Sequence, residues 1–134
     1  MNRTKRAPKI KSDRTALRRR VVAMIRGLNS ADWDRCYETI DPKLRAKGTP
    51  EAARYAQQLC AFRDMYGEIV PWHTRINLHL DASTNKHDPR PFAYVYIVWQ
   101  DAAKEFHIFR ERWVKDGNQW FTRVVGLMPG KATN

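Results

Sequence analysis

Residues 92–127 constrain this chain more than any other stretch, because they read as three successive β-strands joined by tight links. The segments FAYVYIVWQD, KEFHIFRERWVK and QWFTRVVGL are dominated by aromatic and β-branched residues, which suit a half-buried pleated surface. Ala102–Ala103 joins the first two, and Asp116–Gly117–Asn118 joins the last two. Asp-Gly is a strong hairpin signal, since both residues tolerate the positive φ that such turns demand. In the first segment both parities are apolar: Tyr94, Tyr96 and Val98 on one, Val95, Ile97 and Trp99 on the other. That pattern predicts a central strand covered on two sides. In the second, Phe106, Ile108 and Val114 share a parity with Arg110 and Arg112, while His107, Phe109, Glu111 and Trp113 share the other.

Upstream, residues 68–80 are extended, with Ile76, Leu78 and Leu80 alternating with Arg75, Asn77, His79 and Asp81. Residues 81–90 form a polar loop closed by Pro89 and Pro91. Three helices are predicted before this strand. The first starts at Ser12 or Asp13, both good capping types, and buries Leu17, Val21, Met24, Ile25 and Leu28 at helical spacing. The second follows Ser30, carries Trp33, Cys36, Tyr37 and Ile40 on one stripe, and stops at Asp41–Pro42. Lys43–Gly48 is a basic connection with a short strand or extra turn. The third opens at Thr49–Pro50, buries Tyr55, Leu59, Phe62 and Tyr66 (or Met65), and ends at Gly67.

Helices first and antiparallel strands after them give an α+β class, with the helices on one face of a curved sheet. At this level the chain resembles the nuclear transport factor 2-like superfamily, which includes ketosteroid isomerases, scytalone dehydratase and polyketide-cyclase-like proteins. The residues that carry the resemblance are the paired N-terminal helices, the Asn29–Ser30–Ala31–Asp32–Trp33 junction, and Arg112 to Trp120 near the end. The resemblance implies a cystatin-like cone: three N-terminal helices on a strongly curved, mainly antiparallel sheet, spanning residues 12–128. Its enzymes place a carboxylate, a histidine or tyrosines in the cone's apolar cavity. No catalytic motif of those enzymes is matched here residue by residue.

The net charge of +11 over 134 residues sits mainly at one end. Residues 1–20 hold nine Lys/Arg against one acid, Asp13. Residues 1–11 carry too little apolar surface to order themselves and are expected to be a disordered basic tail. Within it, Arg3, Lys5, Arg6, Lys9 and Lys11 are the candidates for contact with a nucleic acid or another anionic surface. Residues 129–134 are expected to be a C-terminal tail. No stretch is long and apolar enough to span a bilayer or to serve as a secretory leader, so no membrane insertion and a cytoplasmic location are expected. Cys36 and Cys60 lack CxxC spacing and read as reduced core residues on helices. The histidines lack metal-ligand spacing and the glycines are scattered singly, so neither a metal nor a nucleotide or other cofactor is expected.

The best chemical constellation is His107, Glu111 and Arg123 with Tyr94 and Tyr96. His107 is a candidate base and Tyr96 a candidate electrophilic hydroxyl for enolisation or dehydration. Asp32 is a third candidate, although it also suits the start of a helix. The competing reading puts that parity on an outer face, with Phe109 and Trp113 in a homodimer interface and Glu111 paired with Arg123. Trp33, Tyr37, Tyr94, Tyr96, His107, Phe109, Glu111, Trp113 and Arg123 are therefore the expected pocket or interface residues. Two-sided apolarity of the strands favours a non-catalytic domain that binds a small apolar ligand or a protein partner as a homodimer. A cofactor-free isomerase or dehydratase is the alternative, and nucleic-acid binding through the basic N-terminus is the third reading.

Overall fold

Leu17, Val21, Met24, Ile25 and Leu28 fall on one side of helix α1 (Arg3–Asn29), and all five are buried, as their spacing requires. The computed structural model describes residues 3–81, 87–123 and 130–131, with side chains over 12–81 and 87–123. Helix α1 begins at Arg3, ahead of the expected start at Ser12 or Asp13. The side chains of Arg3, Lys5, Arg6, Lys9 and Lys11 lie outside the described residues. Asp13 lies within the helix, buried, and accepts an ion pair from Lys115 Nζ at 2.8 Å.

Among the described residues four helices precede the sheet, one more than expected. The second, α2 (Trp33–Glu38), starts from Asp32, whose side chain accepts from the backbone N–H of Arg35 at 3.2 Å. Asp41 does more than end α2. It caps a further helix, α3 (Pro42–Ala46), by accepting from the Lys43 N–H at 3.1 Å. A carboxylate followed by proline can begin a helix as readily as end one, since proline suits the first helical position. Helix α4 (Ala52–Tyr66) begins two residues after the expected proline, with Glu51 extended before it. It buries Tyr55, Leu59 and Phe62, and leaves Met65 and Cys60 exposed. The expectation that Cys60 is a core residue is thus corrected: it lies on the outer side of α4. Cys36 is buried, and burial pushes its thiol up to about 12.

Strands β1 (Val70–His79), β2 (Phe92–Gln100), β3 (Phe106–Asp116) and β4 (Gln119–Thr122) form an antiparallel sheet in chain order. A two-residue strand, β5 (Gly130–Lys131), pairs with β3 at His107 and Ile108. The second hairpin lies where Asp-Gly predicts, but its turn is Gly117 (φ +62) and Asn118, with Asp116 paired to Gln119 at the end of β3 rather than at positive φ. The first hairpin differs. Its loop runs from Asp101 to Glu105, with Lys104 left-handed at φ +70 and the Asp101 carboxylate accepting from the Glu105 N–H at 3.0 Å. Gly67 (φ +70) ends α4 where Ala102 donates its N–H to Tyr66 O. A β-carbon at Gly67 would meet that of Ala102 at 2.7 Å, so the helix and the hairpin meet only because none is present.

The helices cover one face of the sheet. Ala93, Val95, Ile97 and Trp99 of β2 are fully buried beneath them, with Phe109, Glu111 and Trp113 of β3 and Trp120 of β4. Each fully buried apolar side chain of this size contributes about 1.5–3 kcal/mol. Helix α1 is fastened at several points: Arg14 donates to Ile76 O, Arg20 to Trp120 O, and Asn29 pairs with both backbone groups of Ile69. Arg63 reaches back from α4 to the Leu28 and Asn29 carbonyls, two acceptors that a helix end leaves unpaired.

At the other end of the sheet Asp41, wholly buried, receives both terminal nitrogens of Arg90 at 2.7 Å and one of Arg123 at 2.8 Å. Arg90 also holds Asp88 and Asp116. Burial alone would raise the Asp41 carboxyl, but the hydrogen bonds from Arg90, Lys43 and Arg123 outweigh it and hold it below the usual range. The Arg90 hydrogen bonds hold Asp88 at about 2. Both acids are depressed, so their contribution is present above about pH 4 and fades as the pH falls through the folded values. Removing one partner of such a buried pair strands the other charge. Arg90→Ala is therefore expected to lower stability by about 3–5 kcal/mol in urea unfolding at pH 7, with the gap from the parent protein narrowing towards pH 2. A loss under about 1 kcal/mol would equate the network with an ordinary surface pair.

Candidate functional site

Pairing registers sort the expected site residues onto two different faces. Trp99 faces His107 across the β2–β3 ladder, Ile97 faces Phe109, Val95 faces Glu111 and Ala93 faces Trp113, all on the helix-covered side. Tyr94 and Tyr96 alternate with these and lie on the opposite side, across from Arg112 and Arg110. The sheet itself therefore separates the tyrosines from His107 and Glu111, and the expected constellation is not assembled. Phe109 and Trp113 are core residues rather than interface residues, which also corrects the competing reading. Sequence alone left this open because both parities carry aromatics.

The inner face is a packed aromatic layer. The Phe62 ring lies 5.7 Å from Trp99 and 5.8 Å from Phe109, and Tyr66 meets Trp99 edge-on at 5.5 Å. His107 stacks on Trp99 at 4.5 Å, and its Nε2 lies 2.7 Å from Asp101 Oδ2. That hydrogen bond from His107 holds Asp101 below its ordinary range. Asp101, Glu105 and His107 bring one ligand atom each within 4.8 Å of one another, the one such group among the described residues. The His107–Asp101 contact closes the same hairpin loop that the Asp101 carboxylate organises through Glu105.

Glu111 is four residues from His107 on the same face, yet the two have different partners. Glu111 Oε2 accepts from Trp113 Nε1 at 2.9 Å. Burial raises its carboxyl to about 7, against the smaller opposing effect of that hydrogen bond. Arg123 pairs with Asp41, and its expected pairing with Glu111 is corrected. Asp41 and Arg90 escaped the sequence reading. Their only signal was Asp41 before Pro42 and Arg90 between two prolines, and nothing local shows that these residues meet. Asp32 serves as the cap of α2. Trp33 packs half-buried against the core, and Tyr37 donates to Pro50 O at 3.0 Å beside the Tyr55 ring.

The opposite face of the sheet is partly exposed, although Val114, across from Phe92, is wholly buried. Its central strand carries Phe92, Tyr94 and Tyr96, with Tyr94 40% exposed. Tyr96 lies between Arg75 of β1 and Arg110 of β3, and Tyr94 lies between Asn77 and Arg112. Both Arg75 and Arg110 are exposed. His79 stacks on Phe92 at 4.8 Å, nearly parallel, and the Arg112 guanidinium sits 4.4 Å from the centre of the same ring. At the far end Trp72 and Phe106 meet edge-on at 5.3 Å and stay 63% and 43% exposed. Over residues 70–79, 92–100 and 106–114 this parity holds no carboxylate. The expected two-sided cover of β2 is thus corrected: one side is sealed by helices and the other is an aromatic surface edged with arginine.

No protein-family model, no curated protein and no solved structure matches the chain. No described helix is long and apolar enough to cross a membrane.

Glu111 generates a pH test. Its folded value lies above the unfolded carboxyl value of about 4.3, so the folded state holds the proton longer. The contribution of Glu111 to stability is then fully present below about pH 4, is lost as the pH rises to about 7, and changes no further beyond. Glu111→Gln keeps an acceptor for Trp113 without the charge. It is expected to match the parent protein at pH 4 and to exceed it at pH 8 by up to roughly 3 kcal/mol in urea unfolding. Equal stability at both pH values would mean that Glu111 ionises freely in the folded state.

Proposed function

We propose that this protein is a non-enzymatic domain that binds single-stranded nucleic acid on the partly exposed face of its sheet. The observation that carries the reading is the Tyr94–Tyr96 pair, beside a Phe92 ring already covered by His79 and Arg112, flanked by Arg75, Arg110 and Arg112 with no carboxylate among them. Aromatic rings offer stacking surfaces to unpaired bases, and arginines beside them meet the phosphates. Alternate residues on a strand are about 7 Å apart, twice the 3.4 Å step of a stacked strand, so the pair suits bases that are splayed rather than paired. The net charge of +11 draws any polyanion towards the surface.

A second copy of the chain is the less favoured occupant. A two-fold interface presents the same patch from both sides, and here it would set arginines against arginines. The enzymatic reading loses support because the sheet divides the tyrosines from His107. The helix-then-hairpin order and the Arg112–Trp120 segment remain the support for a nuclear transport factor 2-like assignment, under which the proposed surface is the outer side of the cone.

Fluorescence anisotropy with a labelled single-stranded oligouridylate tests the proposal directly. Tyr94→Ala and Tyr96→Ala are each expected to cost about 1–3 kcal/mol of binding. Arg110→Gln is expected to reduce the salt dependence, lowering the slope of log K against log salt by about 0.7. If duplex or heparin bound as tightly as the single strand and neither tyrosine mattered, the face would be a charge surface only. A dimer in sedimentation that the tyrosine substitutions dissociate would assign the face to a second copy.

A further inference from the structure

Away from the sheet's partly exposed face, helix α1 and the outer edge of β1 leave a groove of about 330 Å³. This lies at the small end of the range of about 300–1,000 Å³ typical of ligand sites. Its floor is apolar: Val21 and Ile25, buried, with Val22 and Pro71. Arg18 and Arg26 stand at its rim, one turn before and one turn after Val22, and Asn29 and Thr74 complete the lining. A second hollow of about 450 Å³ adjoins it across Val22, lined by Arg18, Arg19, Arg26 and Arg35 with Thr15 and Ala23. No carboxylate lines either hollow, and among the described residues none pairs with Arg18 or Arg26.

Such a lining sets exposed apolar surface beside exposed cations. Val22 is 45% exposed in the middle of a helix, so apolar surface remains in water. Among the described residues, the exposed guanidinium groups of Arg18 and Arg26 beside it have no carboxylate partner. One ligand class suits both: an apolar chain that covers the valines and isoleucine, ending in an anion. Arginine favours a carboxylate, which it grips with two parallel hydrogen bonds. We infer that the groove between α1 and β1 binds a medium-chain amphipathic carboxylate, with its chain over Val21, Val22 and Ile25 and its head group on Arg18 or Arg26. None of the residues expected from the sequence to line a pocket takes part. The site stands apart from the partly exposed sheet face, so it holds whether or not that face binds nucleic acid.

The probe is decanoate, titrated into the isotopically labelled full chain and followed by amide chemical shifts. Saturable shifts confined to residues 18–29 and 71–74 are expected, with decanol at least about tenfold weaker for want of the charge. Arg18→Gln with Arg26→Gln should weaken decanoate about tenfold or more and leave decanol unchanged. Val22→Asp, at a position 45% exposed on α1, should abolish binding of decanoate while the amide spectrum stays dispersed. Decanol binding as tightly as decanoate would overturn the anionic half of the inference. Shifts that fail to saturate, or that centre elsewhere, would overturn the site itself.

Discussion

Asp41 is the point at which the two halves of this protein are joined. Its backbone N–H donates to Thr122 at the end of β4, its side chain caps α3, and its carboxylate takes Arg90 and Arg123. A wholly buried carboxylate is costly unless every lone pair is used, and here the backbone and two guanidinium groups use them. The consequence is positional. The turn between α2 and α3 cannot move without the loop before β2 and the end of β4 moving as well.

With that end fixed, the inner side of the sheet becomes a solid aromatic layer. Trp99, Trp113 and Trp120 are fully buried, and Phe62, Tyr66 and Phe109 pack around Trp99. In this layer polar groups act structurally: His107 with Asp101 closes a hairpin, and Glu111 with Trp113 satisfies an indole N–H. The exposed arginines lie outside the core, Arg75 and Arg110 on the other sheet face and Arg18 and Arg26 along the outer side of α1.

The helix stripes were legible in the sequence with little error. Leu17 to Leu28 of α1 and Tyr55 to Phe62 of α4 are buried as their spacing demands, because helical periodicity depends only on neighbours along the chain. The Asp-Gly turn was legible for the same reason. The five-residue Asp101–Glu105 loop was not, since it is held by a carboxylate and a left-handed lysine rather than by turn-type residues. The extra helix α3 was hidden because Asp41–Pro42 serves both as a stop and as a start.

What the sequence determined by itself was the α+β order, the approximate extent of β1 to β3 but not of the four-residue β4, and the alternation that puts His107, Phe109, Glu111 and Trp113 on one side and Tyr94 and Tyr96 on one side. Whether those were the same side, and which was sealed, only the tertiary structure decided. Alternation along a strand has period two and no absolute direction. When both parities are aromatic, the choice depends on cross-strand register and on which side the helices dock. Here docking is governed by distant partners: Phe62 against Trp99, Asn29 with Ile69, Arg63 with the end of α1, and Asp41 with Arg90.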